Sequence, residues 1–337
     1  MQGKVISLVF TAASLVAAVA FGGVKMAQTD RPLPSLESPP AQTVPQTQPT
    51  QPPTEPTLPP TQPDPLLGDR LALSTVGSGM EAAHVFVYDC QARELLYCSS
   101  GEQESLYPAS ITKLFTAYVA LKLLPRDEVV TVGEELSLVQ PGSSTAFLAK
   151  GHRLSTEMLV EAMLLPSGND AAYVLATAAG RKLAGEDASA KDAVAAFVEE
   201  MNRQAQLLGM KNTHFSNPDG YHQEDHVSTP LDLAKLGEAV AENELICRYC
   251  TLFSDSVRFK SGHTITWYNT DRLSNPGDSF YEPALLVGKT GYTRQAGYCL
   301  LSVVEKEGRR IMVGIFGGAD KTRRYTYAHA LLDSLGL

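Results

Sequence analysis

The chain opens on an uncharged run of 20 residues, 5–24, preceded only by Met1-Gln2-Gly3-Lys4. About 20 apolar residues suffice to cross a bilayer as a helix. The run also has the form of the apolar core of a secretory leader, with Ala18-Val19-Ala20 as a small-x-small cleavage site. Either reading exports the rest of the chain, and the length favours an uncleaved anchor within residues 1–30. Over 31–66 the apolar pattern gives way to Pro, Gln and Thr, and this stretch holds 13 of the 21 prolines. It has too few apolar groups for a core. An extended, semi-rigid linker is expected there, reaching on the order of 100 Å at full stretch.

Periodic patterning returns near Leu67 and runs to the end, so 67–337 is expected to be one folded domain. Residues 82–89 (AAHVFVYD) read as a strand, with 94–98 as its hairpin partner across a short polar turn. Apolar Ile111, Leu114, Phe115, Tyr118 and Leu121 fall on one face of a helix over 110–124, which Pro125 ends. Helical patterns follow at 156–165, 170–183, 191–208 and 229–241. Strand patterns follow at 285–290, 297–304 and 311–316, the last two flanking the turn Glu305-Lys306-Glu307-Gly308, and a closing helix at 325–335. Strands at both ends and helices between them predict an α+β fold: an antiparallel sheet with an inserted helical subdomain.

The formal net charge of the chain is −9, nearly all of it beyond residue 66. No basic stripe is available for phosphate contacts, so nucleic acid is a poor partner. The five cysteines are Cys90, Cys98, Cys247, Cys250 and Cys299. Cys247-Arg-Tyr-Cys250 has the CxxC form, but neither a second CxxC nor a zinc-spaced His pair accompanies it. Packed thiols are the expectation. His222-Gln-Glu-Asp-His226 is not HExxH, and it follows Asn217-Pro218-Asp219-Gly220, which is turn chemistry. No metal and no cofactor are expected. Trp267 is expected in the core or the wall of a cleft rather than on a sugar-stacking surface.

Three short motifs carry the candidate chemistry. Ser110-Ile111-Thr112-Lys113 opens a helix, where positions i and i+3 share a face. A serine hydroxyl needs a base beside it, and a lysine can serve only with a neutral amine, which burial or a second cation favours. Ser167-Gly168-Asn169 lies between two helical segments, where a hydroxyl and a carboxamide can pass a proton and hold an amide. Lys289-Thr290-Gly291, at the end of the strand pattern, offers a cation for a carboxylate and a glycine for close approach. If that strand is an edge, an extended peptide can add to it. A phosphate-binding loop fails here, because no glycine precedes Gly288 at the required spacing.

Together, in this order, the three form the motif set of serine β-lactamases and penicillin-binding proteins. The wider segments YPASITKLFTAYVAL, LLPSGNDAAYVLA, NPDGYHQEDHVSTPLDLA and VGKTGYTRQAGYCLL resemble the low-molecular-mass D-alanyl-D-alanine carboxypeptidases over about residues 80–320. The resemblance implies a five-stranded antiparallel sheet flanked by helices. It implies acylation of Ser110 by the penultimate D-alanine carbonyl, with Lys113 as base and Ser167 and Asn169 relaying protons and binding substrate. Lys289 and Thr290 would hold the terminal carboxylate beside Gly291, and the N–H groups of Ser110 and Tyr292 would form the oxyanion hole. Peptidoglycan stem peptides are then the substrate and β-lactams covalent inhibitors.

Several relatives carry a β-rich domain and an amphipathic anchor after the catalytic part. Here attachment through the N-terminal segment is expected instead. The alternatives are a peptidoglycan endopeptidase, a β-lactamase and a catalytically silent muropeptide- or β-lactam-binding module. Ser-Gly-Asn, where class A β-lactamases have Ser-Asp-Asn, disfavours the β-lactamase, and three intact motifs disfavour the silent module.

Overall fold

The structure, a computed structural model, describes residues 64–337. The apolar run 5–24 and all but the last three residues of the 31–66 stretch lie outside them. Among the described residues no helix is long and apolar enough to cross a membrane. In chain order come α1 (Leu67–Gly77), β1 (His84–Asp89), β2 (Glu94–Cys98), a 3-10 turn (Ala109–Ile111) and α2 (Thr112–Leu123). Then follow β3 (Val129–Thr131), β4 (Arg153–Ser155), α3 (Thr156–Leu164), α4 (Asn169–Ala184), α5 (Ala190–Leu207), α6 (Pro230–Ala241) and α7 (Glu244–Thr251). The chain closes with β5 (Ser254–Arg258), β6 (Thr264–Tyr268), β7 (Leu285–Thr293), β8 (Gly297–Lys306), β9 (Arg309–Gly318) and α8 (Arg323–Ser334).

The main sheet has five antiparallel strands in the order β2-β1-β9-β8-β7. Its pleat sends alternate residues to opposite faces. Val85, Val87, Val313 and Ile315 meet Leu73 of α1 and Tyr325, Ala328 and Leu331 of α8 on one face. Phe86, Leu301, Val303 and Met312 meet the helical layer on the other. Both faces are covered, which is why β1 reads as an unbroken apolar run rather than an alternating one. The expected α+β class, the antiparallel sheet and the helical insertion between β2 and β7 are all present.

Helix α2 runs through the middle of the helical layer, with Leu114, Phe115, Ala117, Val119 and Ala120 fully buried. Phe115 stacks on Phe215 at 4.9 Å between ring centres. Several helices start at side-chain caps: Ser155 for α3, Ser189 for α5, Thr229 for α6 and Asn243 for α7.

Four features carry no clear sequence signal. Helix α1 is held by packing of Leu73 under the sheet. Helix α7 has only eight residues, too short to show a period. Its Cys250 is buried and Cys247 points its thiol at the carbonyls of Val240 and Ala241, so the CxxC is a pair of packed free thiols. The strands of the two-stranded pairs β3-β4 and β5-β6 have only three to five residues each, too few to show a sustained alternation. Trp267 of β6 is 2% exposed and belongs to the core, whereas Tyr268 beside it is exposed.

Candidate active site

A sharp backbone bend places Ser110. Ala109 adopts φ +48, a left-handed conformation uncommon outside glycine. The bend turns the chain from Pro108 into the 3-10 turn that carries Ser110 and then into α2. Two glycines make room for it. A Cβ on Gly220 would lie 1.9 Å from the Ala109 carbonyl oxygen, and one on Gly291 would lie 3.0 Å from the Ser110 nitrogen.

Lys113 sits one turn along and is fully buried. Its Nζ donates to Ser110 Oγ at 2.8 Å and to the Asp219 carbonyl oxygen at 2.6 Å. Burial takes the Lys113 amine down to about 8, against the opposing pull of the Asp219 and Asp170 carboxylates. The hydroxyl thus has at hand an amine that is readily made neutral.

Ser167 occupies the crossing between α3 and α4 at φ +59. Lys289 Nζ donates to Ser167 Oγ at 3.0 Å and to the Thr290 carbonyl oxygen at 3.1 Å. Lys289 is 1% exposed. Burial, and then the Lys113 cation, take it down to about 7. Thr290 Oγ1 bonds Thr270 Oγ1 at 2.9 Å. Asn169 lines the cleft wall, and its buried Oδ1 has no partner. Lys289, Thr290 and Gly291 lie within β7, which extends to Thr293 and forms one end of the five-stranded order. The expected edge strand is therefore there.

Ser110, Asn169, Asp219, Gly220 and Tyr292 line a cleft of about 440 Å³. The first two motifs reach it through Ser110 and Asn169, and the Lys289–Ser167 bond ties the third to the second, although 57 residues separate Ser110 from Ser167 and 122 separate Ser167 from Lys289. Tyr292 is 56% exposed, with its ring against Tyr298 at 4.5 Å.

Other contributors lie outside the three motifs. The 217–220 turn supplies the carbonyl under Lys113. Asp219 has a fully buried carboxyl, one oxygen of which has no partner, and burial pushes its titration up. Asp170 accepts from the Ala146 and Leu148 N–H groups at 2.8 and 2.9 Å and so holds the 141–149 loop over the cleft. Arg324 of α8 reaches the Cys299 carbonyl at 3.0 Å and that of Gly291 at 3.4 Å, with its Nε unpartnered. A charge buried among apolar strands is the signal that could have singled out Arg324, but only once the strands are in register.

His226 Nδ1 accepts from the Ser216 N–H at 3.1 Å, so its proton is on Nε2, 2.8 Å from Thr112 Oγ1. Burial takes it down to about 3, and it props the base of α2 as a neutral ring. Among the described residues no cluster of three or more His, Cys, Asp or Glu side chains is placed to hold a metal ion.

The Peptidase_S11 family model, described as D-alanyl-D-alanine carboxypeptidase, matches residues 73–320. D-alanyl-D-alanine carboxypeptidase DacF of Bacillus subtilis is 29% identical over 75% of this chain and 61% of its own length. DacD of Escherichia coli is 30% identical over 67% of this chain and 55% of its own. The chain therefore spans less than two-thirds of the length of these relatives. The crystal structure of the Streptomyces K15 DD-transpeptidase superposes with a TM-score of 0.68 at 27% identity, covering 76% of this chain and 97% of that one. Penicillin-binding protein D2 of Listeria monocytogenes, in its ampicillin-bound form, gives 0.60 at 26% identity over 75% and 96%.

Proposed function

Because the chain belongs to the Peptidase_S11 family of D-alanyl-D-alanine carboxypeptidases, we propose that it removes the terminal D-alanine from peptidoglycan stem pentapeptides through an acyl-enzyme on Ser110. The observation that carries this is the 2.8 Å contact between Ser110 Oγ and a fully buried lysine amine. In the first half-reaction Ser110 Oγ attacks the penultimate D-alanine carbonyl and its proton passes to Lys113. The oxyanion forms opposite the Ser110 and Tyr292 N–H groups, donors of a kind worth roughly 3–4 kcal/mol. Collapse breaks the peptide bond. The leaving amine takes a proton relayed from Lys113 through Ser167, whose own hydrogen is free because Lys289 donates to its oxygen. Water then cleaves the ester.

Asn169 would hold the substrate amide, and an extended peptide can run along β7. Lys289 supplies positive charge for the terminal carboxylate, through or beside Ser167, and Thr290 and Gly291 form the strand wall around it. β-Lactams mimic the scissile amide and would acylate the same hydroxyl, a reading that the ampicillin-bound Listeria neighbour supports. The family acts on the cell wall, outside the cytoplasm. In this reading residues 1–30 anchor the chain, 31–66 form the spacer and 67–337 form the catalytic domain.

Mass spectrometry of a stem pentapeptide before and after incubation tests the proposal. Loss of a single D-alanine, abolished together with penicillin labelling in Ser110→Ala, is the expected result. Full activity in Ser110→Ala refutes it. Labelling without D-alanine release indicates a silent binding module, and cleavage of cross-linked dimers alone indicates an endopeptidase.

A further inference from the structure

The 141–149 loop separates the cleft from a second cavity of about 520 Å³, and Pro141, Gly142 and Ser143 line both. Phe147 borders this second cavity. It sits at φ +60 and is 73% exposed. Each is unfavourable for a bulky apolar residue, and a strained conformation persists only where its surroundings over-determine it. The surroundings do so here. The N–H groups before and after Phe147, of Ala146 and Leu148, are held by the two oxygens of Asp170. The Ala146 carbonyl accepts from Trp267 Nε1 at 3.0 Å. Both clamping side chains are nearly inaccessible, at 3% and 2% exposure. Ala146 and Leu148 are buried, and the ring between them is fixed facing outward. The clamp accounts for the buried neighbours, but the exposed ring itself has no packing role in the fold and presents an apolar surface to a ligand.

The cavity's chemistry narrows the ligand. Gln140 and Thr145 offer uncharged donors and acceptors along this cavity. Asp170 is the one ionisable group among the lining residues, and backbone N–H groups occupy both its oxygens. The site therefore suits a neutral ligand with an apolar face and a hydroxyl- and amide-bearing edge. If stem peptides occupy the cleft, as proposed above, such a group is covalently attached to them. Four residues, about 13 Å of extended chain, lie between the scissile bond and the N-acetylated sugar that bears the stem.

We propose that the cavity beside Phe147 is a glycan subsite, in which an N-acetylhexosamine ring of the substrate strand stacks on the Phe147 ring. This rests on the carboxypeptidase reading, and the test separates the two. In a Ser110→Ala background, where turnover is not needed, calorimetry compares disaccharide-linked pentapeptide with free pentapeptide. The expected result is tighter binding of the disaccharide form. Phe147→Ala should shrink that preference by roughly two- to tenfold, the range of one ring-stacking contact, and Phe147→Tyr should restore it. An unchanged thermal midpoint in Phe147→Ala shows that the loop still folds. An equal loss for both ligands means the peptide occupies the cavity, and that overturns the proposal. So does a preference that Phe147→Ala leaves intact, no preference to begin with, or no binding of either ligand. Binding with the expected preference, but no D-alanine release by the unsubstituted protein, would refute the carboxypeptidase reading alone.

Discussion

If Lys113 is the base, the protein must keep it neutral and Lys289 charged at the same moment. The amine of Lys113 stands at about 8 instead of 10.5. At pH 7 this raises its neutral fraction from roughly 0.03% to roughly 10%, a gain of about 300-fold. Lys289, at about 7, loses its proton over almost the same span. Acylation therefore falls on the acid side as Lys113 takes up a proton, and on the alkaline side as Lys289 gives one up. The required state, with Lys113 neutral and Lys289 charged, lies between the two limbs, and the loss of the Lys113 charge itself favours it, because that cation is one cause of the low Lys289 value. The assay is the second-order rate of acylation by a fluorescent penicillin from pH 5.5 to 10. Lys113→Arg cannot supply a neutral amine and should lose about 10²- to 10⁴-fold, the usual worth of a general base. Lys289→Arg keeps a cation at every accessible pH and should flatten the alkaline limb only. A wild-type rate constant across the range, or Lys113→Arg acylating within tenfold of wild type, refutes the reasoning.

Two further outcomes are expected. Gly220→Ala places a Cβ 1.9 Å from the Ala109 carbonyl at φ +80 and should cost about 2–4 kcal/mol. It should also reduce penicillin labelling, because the neighbouring Asp219 carbonyl holds Lys113; a urea melt and labelling rate indistinguishable from wild type would refute this. His226 is buried neutral at about 3 against an ordinary 6.5. The unfolded chain therefore binds the extra proton first, and stability falls as pH drops from 6.5 towards 3, by up to about 1.4 kcal/mol per pH unit. His226→Gln should flatten that part of the stability-pH curve, and an equally steep curve in the variant refutes the assignment.

Local sequence settled what depends on neighbouring residues. The i,i+3 spacing of Ser110 and Lys113 survives in any helix, so their pairing was readable before any packing was known. So were α2 to α6, the closing helix and the β8-β9 hairpin, because amphipathic period and turn residues are local. Packing decided the rest. Burial sets the amine of Lys113 and keeps His226 neutral, and no local pattern encodes how deeply a side chain will lie. The Lys289–Ser167 bond, the Asp219 carbonyl under Lys113 and the clamp on Phe147 each join segments far apart in the chain. They exist only because the helical layer packs against one face of the sheet, and a long-range contact leaves no periodic trace in a single sequence.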